Sequence, residues 1–61
     1  MMSNYTAMEI AEGFIEAESE EEVIEAWQHL VDTGLAWQLQ GSFGRTAEDL
    51  IEQGIIERKQ Q

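Results

Sequence analysis

No cysteine occurs anywhere in the 61 residues, so this chain has to hold itself together by packing alone. A domain of that size buries only about 60% of the surface its unfolded form exposes, which leaves a core of marginal size. Disulfides and thiolate metal sites, the usual supplements in very small proteins, both require cysteine. What remains is association, and a homodimer or higher oligomer is the expectation. Apolar residues make up 43% of the chain in runs of only a few, so neither general disorder nor a membrane span is expected. The opening Met-Met-Ser-Asn-Tyr-Thr has no basic and apolar regions of a secretory signal, which with the missing cysteine predicts an intracellular protein.

Helix punctuation organises the rest. Thr6 and Glu9 form a Thr-x-x-Glu capping box, followed by the apolar residues Ala7, Met8, Ile10, Ala11, Phe14 and Ile15. The expectation is a first helix over 7–17 with Gly13 weakening its interior. Ser19 and Glu22 form a second box, with Glu20, Glu21 and Glu22 in the first turn where the helix dipole favours negative charge. Val23, Ala26, Trp27, Leu30 and Val31 recur at spacings of three and four, and Gly34 stands where a left-handed C-terminal residue is wanted, which predicts a helix over 20–33.

Residues 35–40 fit two periods, because Leu35, Trp37 and Leu39 alternate while Leu35, Ala36 and Leu39 also share a helical face. A lone strand would leave costly unpaired backbone groups, so a short turn of helix is favoured unless a dimer supplies the pairing. Gly41 to Gly44 reads as a turn. Thr46 and Asp49 resemble a looser capping box for a last helix over 45–53, with Leu50 and Ile51 on its apolar stripe and Ile55 placed for a C-cap contact past Gly54. With no repeat or linker, the expected architecture is all-α, a small bundle of three to four short helices over 1–61 with frayed ends at 1–5 and 57–61.

Charge narrows the partners. Residues 1–44 hold Glu9, Glu12, Glu16, Glu18, Glu20, Glu21, Glu22, Glu25 and Asp32 without a lysine or arginine, so the net charge of -10 is owned by that part. A helix-turn-helix reading of 35–53 would present Glu48, Asp49 and Glu52 with only Arg45 in opposition, where phosphate binding needs several basic side chains. Direct nucleic-acid binding is not expected. The same acids, above all Glu16, Glu18, Glu21, Glu22 and Glu25, could instead imitate a row of phosphates, since helical turns place them about 5 to 6 Å apart. A solvated face is the commoner use of such a run.

No catalytic signature is present. Paired carboxylates work as acid and base only when a low-dielectric cleft raises one pKa, and these lie on predicted solvent faces. His29 has Asp32 at i+3 and Glu25 at i-4, but three ligands from one exposed helix face bind a metal weakly, and Ala26 occupies the position a Glu-x-x-His pair would need. Calcium loops, phosphate loops and Gly-x-Ser-x-Gly elbows around Ser3, Ser19 or Ser42 are missing. The expectation is a non-enzymatic protein with no catalytic residues, no metal site and no cofactor.

Trp27, Leu35, Trp37, Leu39, Phe43, Ile55 and Ile56 are more apolar surface than a unit of this size readily conceals, and aromatic anchors are typical of interface centres. Trp27, Leu30, Leu50 and Ile51 are assigned to the core, with Trp37, Phe43 and Ile56 open between core and interface. The segment from Asp32 to Ile56, about twenty-five residues, also carries a resemblance. Its Trp37, Leu39-Gln40-Gly41, Phe43-Gly44-Arg45-Thr46-Ala47, Leu50-Ile51-Glu52 and Gly54 resemble a family of very short proteins of unknown function encoded by tailed bacteriophages, including phages of cyanobacteria and actinobacteria. The acidic N-terminal part resembles that family less closely. The resemblance implies an accessory factor acting in the cytoplasm of an infected bacterium. The expected function is therefore binding and modulation of a host or phage protein, without contact to membrane, through an aromatic surface of Trp37, Phe43, Arg45 and Ile56. The alternative is an acidic mimic that inhibits a host nucleic-acid-binding protein.

Overall fold

A computed structural model describes residues 2–39 and 41–58. Three α-helices, α1 (Asn4–Glu12), α2 (Glu20–Thr33) and α3 (Phe43–Glu52), are joined with one 3-10 turn (Leu35–Trp37), and there is no strand among the described residues. The all-α class is as the sequence predicts. α1 and the 3-10 turn both pack against α2, and α3 packs on the turn.

α1 starts and stops earlier than Thr6-x-x-Glu9 suggests. Ser3 is the N-cap: its Oγ accepts the Thr6 N–H at 3.1 Å and its hydroxyl donates to Thr6 Oγ1 at 3.0 Å. Thr6 is thus inside the first turn. Gly13, expected as an interior residue, ends the helix in the left-handed region at φ 83°, which costs glycine nothing and other residues about 1 kcal/mol or more. Its N–H donates to the Ile10 carbonyl at 3.1 Å and the Phe14 N–H to the Glu9 carbonyl at 2.9 Å, the paired bonds of a Schellman ending. Phe14 and Ile15 therefore leave the helix and its apolar face, and are 74% and 41% exposed.

α2 has the expected bounds. Ser19 Oγ accepts the Glu22 N–H at 3.2 Å, and Glu22 Oε1 reaches back to the Glu18 N–H at 2.8 Å. Gly34 closes it with its N–H on the Val31 carbonyl at 3.1 Å. The ambiguous segment after it resolves as the 3-10 turn, shorter than the expected 35–40, with Gln40 outside the described residues. α3 opens at Phe43, not at Arg45; the Thr46 N–H donates to the Ser42 carbonyl at 2.8 Å, which places Thr46 within the helix and not at its cap. At its end Ile55, expected to make the C-cap contact, is 41% exposed, and Ile56 is buried in its stead at 3%.

The core comprises Ala7 and Ile10 of α1, Ala26, Trp27, Leu30 and Val31 of α2, then Ala36, Ala47 and Ile56. Four of these nine are alanines with no exposed surface, Ala7, Ala26, Ala36 and Ala47, one from each helix and one from the turn. Small side chains there let backbones approach closely. Leu30 and Val31 are its largest fully buried residues.

Two long-range ties close the structure. Gln28 Nε2 donates to the Glu57 carbonyl and Gln28 Oε1 accepts the Glu57 N–H, both at 2.8 Å. At the other end of the chain Asn4 Oδ1 meets His29 Nε2. The segments expected to fray are thus engaged at Asn4, Tyr5, Glu57 and Arg58, while Met1 and residues 59–61 lie outside the described residues.

Candidate functional site

The 3-10 turn sets Trp37. Hydrogen bonds from the Trp37 N–H to the Gly34 carbonyl at 3.2 Å and from the Gln38 N–H to the Leu35 carbonyl at 2.9 Å fix its backbone. Ala36 is fully buried beside it, whereas Trp37 is 45% exposed. Gly44 lies beside the indole: a Cβ there would make ordinary contact, 3.7 Å from Trp37 Cδ1 and 3.5 Å from the Ala36 carbonyl oxygen. The result is a large aromatic surface held on rigid backbone.

Charge lies beside it. Arg58 grips Glu48 in a two-pronged contact, Nη2 to Oε1 at 2.8 Å and Nη1 to Oε2 at 3.2 Å. This hydrogen bonding to Arg58 holds the Glu48 carboxyl below the usual carboxylate range, against the opposing effect of desolvation, with further lowering from the Arg58 charge and from the Trp37 indole. The same pairing raises the Arg58 guanidinium. Arg45 is an exposed cation on α3.

Phe43 and Trp37 do not share a surface. On α3, Gly44 and Glu48 form one edge and Ser42 and Thr46 the other, with Phe43 and Ala47 between them. Trp37 lies by Gly44 and Glu48, while the half-buried Phe43 packs on Trp27, ring centroids 5.7 Å apart and planes tilted by 44°. Ile56 is a core residue and does not line either face. An open cleft of about 610 Å³ runs between the end of α1 and the start of α3, with Phe14, Trp27 and Phe43 in its lining. Sequence reasoning missed Phe14 as a surface residue, and the signal that would have found it is Ser3 three residues before Thr6 together with Gly13.

Of the acids, Glu16, Glu18, Glu21 and Glu25 are exposed along with Glu20. Glu22 is half-buried and spent on the Glu18 N–H, a helix-capping duty that removes it from the free acidic face. His29 is turned to Asn4, and Asp32 Oδ1 accepts from Gln28 Nε2 at 3.0 Å, so the structure does not bring His29 and Asp32 together as a base with its orienting acid. Among the described residues no group of three His, Cys, Asp or Glu side chains could hold a metal ion, and no helix is long and apolar enough to cross a membrane. The hydroxyls of Ser3 and Ser19 serve caps.

Comparison with protein families gives a match over residues 6–61 to the family described as Domain of unknown function (DUF7417). Neither the curated proteins nor the solved structures give a match.

Proposed function

The chain belongs to the DUF7417 family, and from its surfaces we propose that it is a non-enzymatic phage accessory protein that binds and modulates a host or phage protein, with Trp37 as its anchor and Arg45 as a polar contact. The observation that supports this reading is the 45% exposure of Trp37 on a hydrogen-bonded turn with fully buried Ala36 beside it. A rigid aromatic loses little conformational freedom on binding and offers a large apolar area, the usual makeup of an interface hot spot. In this reading the protein works in the cytoplasm of the infected bacterium, touches neither nucleic acid nor membrane, and is a homodimer or higher oligomer.

Capture from bacterial lysate on immobilised wild type and Trp37→Ala, washed at rising salt, tests it. The expected result is a partner that survives high salt on the wild type and is lost from the variant, because apolar burial is insensitive to screening. Equal retention by a folded Trp37→Ala would overturn the assignment. A second reading, the acidic mimic, draws support from the exposed Glu16, Glu18, Glu20, Glu21 and Glu25 in a stretch with no basic side chain. It requires a nucleic-acid-binding partner released by high salt and competed by DNA, and it fails if neutralising Glu18, Glu21 and Glu25 leaves capture unchanged.

A further inference from the structure

The cleft between α1 and α3 lies on the edge of α3 away from Trp37, and its lining combines Phe14, Trp27 and Phe43 with Glu12, Ser42 and Thr46. Phe14 is 74% exposed, yet its backbone is fixed, since its N–H completes the Schellman ending on the Glu9 carbonyl at 2.9 Å. Helix-end geometry therefore sets the Phe14 backbone at the rim, from which its exposed ring projects. At about 610 Å³ the open space has the scale of a binding pocket.

Its electrostatics are one-sided. Glu12 is the acidic side chain in the lining, and Glu16 and Glu18 follow Phe14 in the same loop. No lysine or arginine occurs before residue 45, Arg45 is not in the lining, and Arg58 is engaged by Glu48. A second copy of the chain would bring the same acids against these, each molecule carrying -10. Complementarity calls for a cationic occupant. We propose that the cleft docks a basic amphipathic helix of a protein partner, one apolar side chain entering between Phe14 and Phe43 while lysines or arginines on its flanks meet Glu12, Glu16 and Glu18. This site is separate from the Trp37 surface and stands or falls without it.

The test is a titration of isotope-labelled protein with an unlabelled amphipathic peptide of leucine and lysine bearing one phenylalanine on its apolar face. The two tryptophans supply an internal control, because Trp27 lines the cleft and Trp37 does not. The expected result is saturable movement of the Trp27 indole and Phe14 amide signals with the Trp37 indole unmoved. Binding should weaken as salt rises. Phe14→Ala and Glu12→Lys, both at solvent-exposed positions and checked for helicity, should each lose about tenfold in affinity. Absence of saturable binding, movement centred on Trp37, or equal binding of the peptide with glutamate in place of lysine would each overturn the proposal. So would movement of the cleft signals with protein concentration alone, which would give the cleft to a second copy.

Discussion

Gln28 treats Glu57 as one strand treats another, its side-chain amide donating to the Glu57 carbonyl and accepting from the Glu57 N–H, both at 2.8 Å. A primary amide matches a backbone amide in donor and acceptor, so one side chain satisfies both main-chain groups of a residue 29 positions away. The tie follows directly on Ile56, the core residue contributed by the chain after α3.

Gln28→Ala should destabilise the fold by about 1 to 2 kcal/mol, the sum of two partly solvated hydrogen bonds. Denaturant titration measures the loss, and hydrogen exchange should show the Glu57 amide losing its protection. Gln28→Glu keeps the acceptor for the Glu57 N–H but sets a carboxylate against the Glu57 carbonyl and Asp32, so it should be no more stable than alanine. A Glu57 amide equally protected in all three would refute the role of the clamp.

Leu30→Ala should be the most damaging of the aliphatic truncations. Leu30 has no exposed surface and is among the largest fully buried side chains, and truncations of this kind cost about 2 to 5 kcal/mol. Small cores of this type rarely supply more than about 3 to 5 kcal/mol in total. The expected outcome is loss of a cooperative thermal transition by circular dichroism.

Two glycines should respond to alanine with opposite sign. Gly13 has φ 83°, so Gly13→Ala meets backbone strain and should cost about 1 kcal/mol even though nothing stands within 4 Å of a Cβ there. Gly44 lies in α3 at ordinary φ, and a Cβ would make normal contacts at 3.5 and 3.7 Å, so Gly44→Ala should stabilise by up to about 0.5 to 1 kcal/mol. Melting temperatures of the two variants decide the matter, and a fall in both would show that Trp37 cannot accommodate the added methyl.

Glu48 gives the fold an acid-side dependence. Its carboxyl is held below the ordinary value of 4.5 by Arg58, so the contribution is present above that value and is lost as pH falls through the depressed one. Following the Glu48 side-chain carbonyl carbon by NMR should give a midpoint below 4.5 in the wild type and near it in Arg58→Gln. A midpoint unchanged between the two would mean that the two-pronged contact does not persist in solution.

How much of this was legible in the sequence differs from helix to helix. α2 was read to its ends because one cap, Ser19 with Glu22, and one stop, Gly34, frame a single amphipathic stripe. α1 carries two overlapping cap candidates, Ser3 and Thr6, and the choice between them moves Phe14 from the apolar face to the surface. Local patterning favoured the capping box; the structure uses the earlier serine, which lets Gly13 end the helix. Past α3, Ile55 and Ile56 are equivalent by composition, and only the path of the chain after Gly54 decides which is buried. Of the expected aromatic surface, Trp37 is exposed, Phe43 turns to Trp27, and Ile56 is core. The Gln28 clamp had no local signature at all, because its partner is backbone from a distant part of the sequence.

Asn4 and Glu57 are held by His29 and Gln28, neighbours on one turn of α2. The first and last described segments therefore share a single anchorage, and melting of that one turn would release both. These ties join residues 25 and 29 positions apart, and closing loops of that length carries an entropic cost that contacts within one helix do not. A chain without cysteine thus has both its described ends fastened by two adjacent side chains of its middle helix.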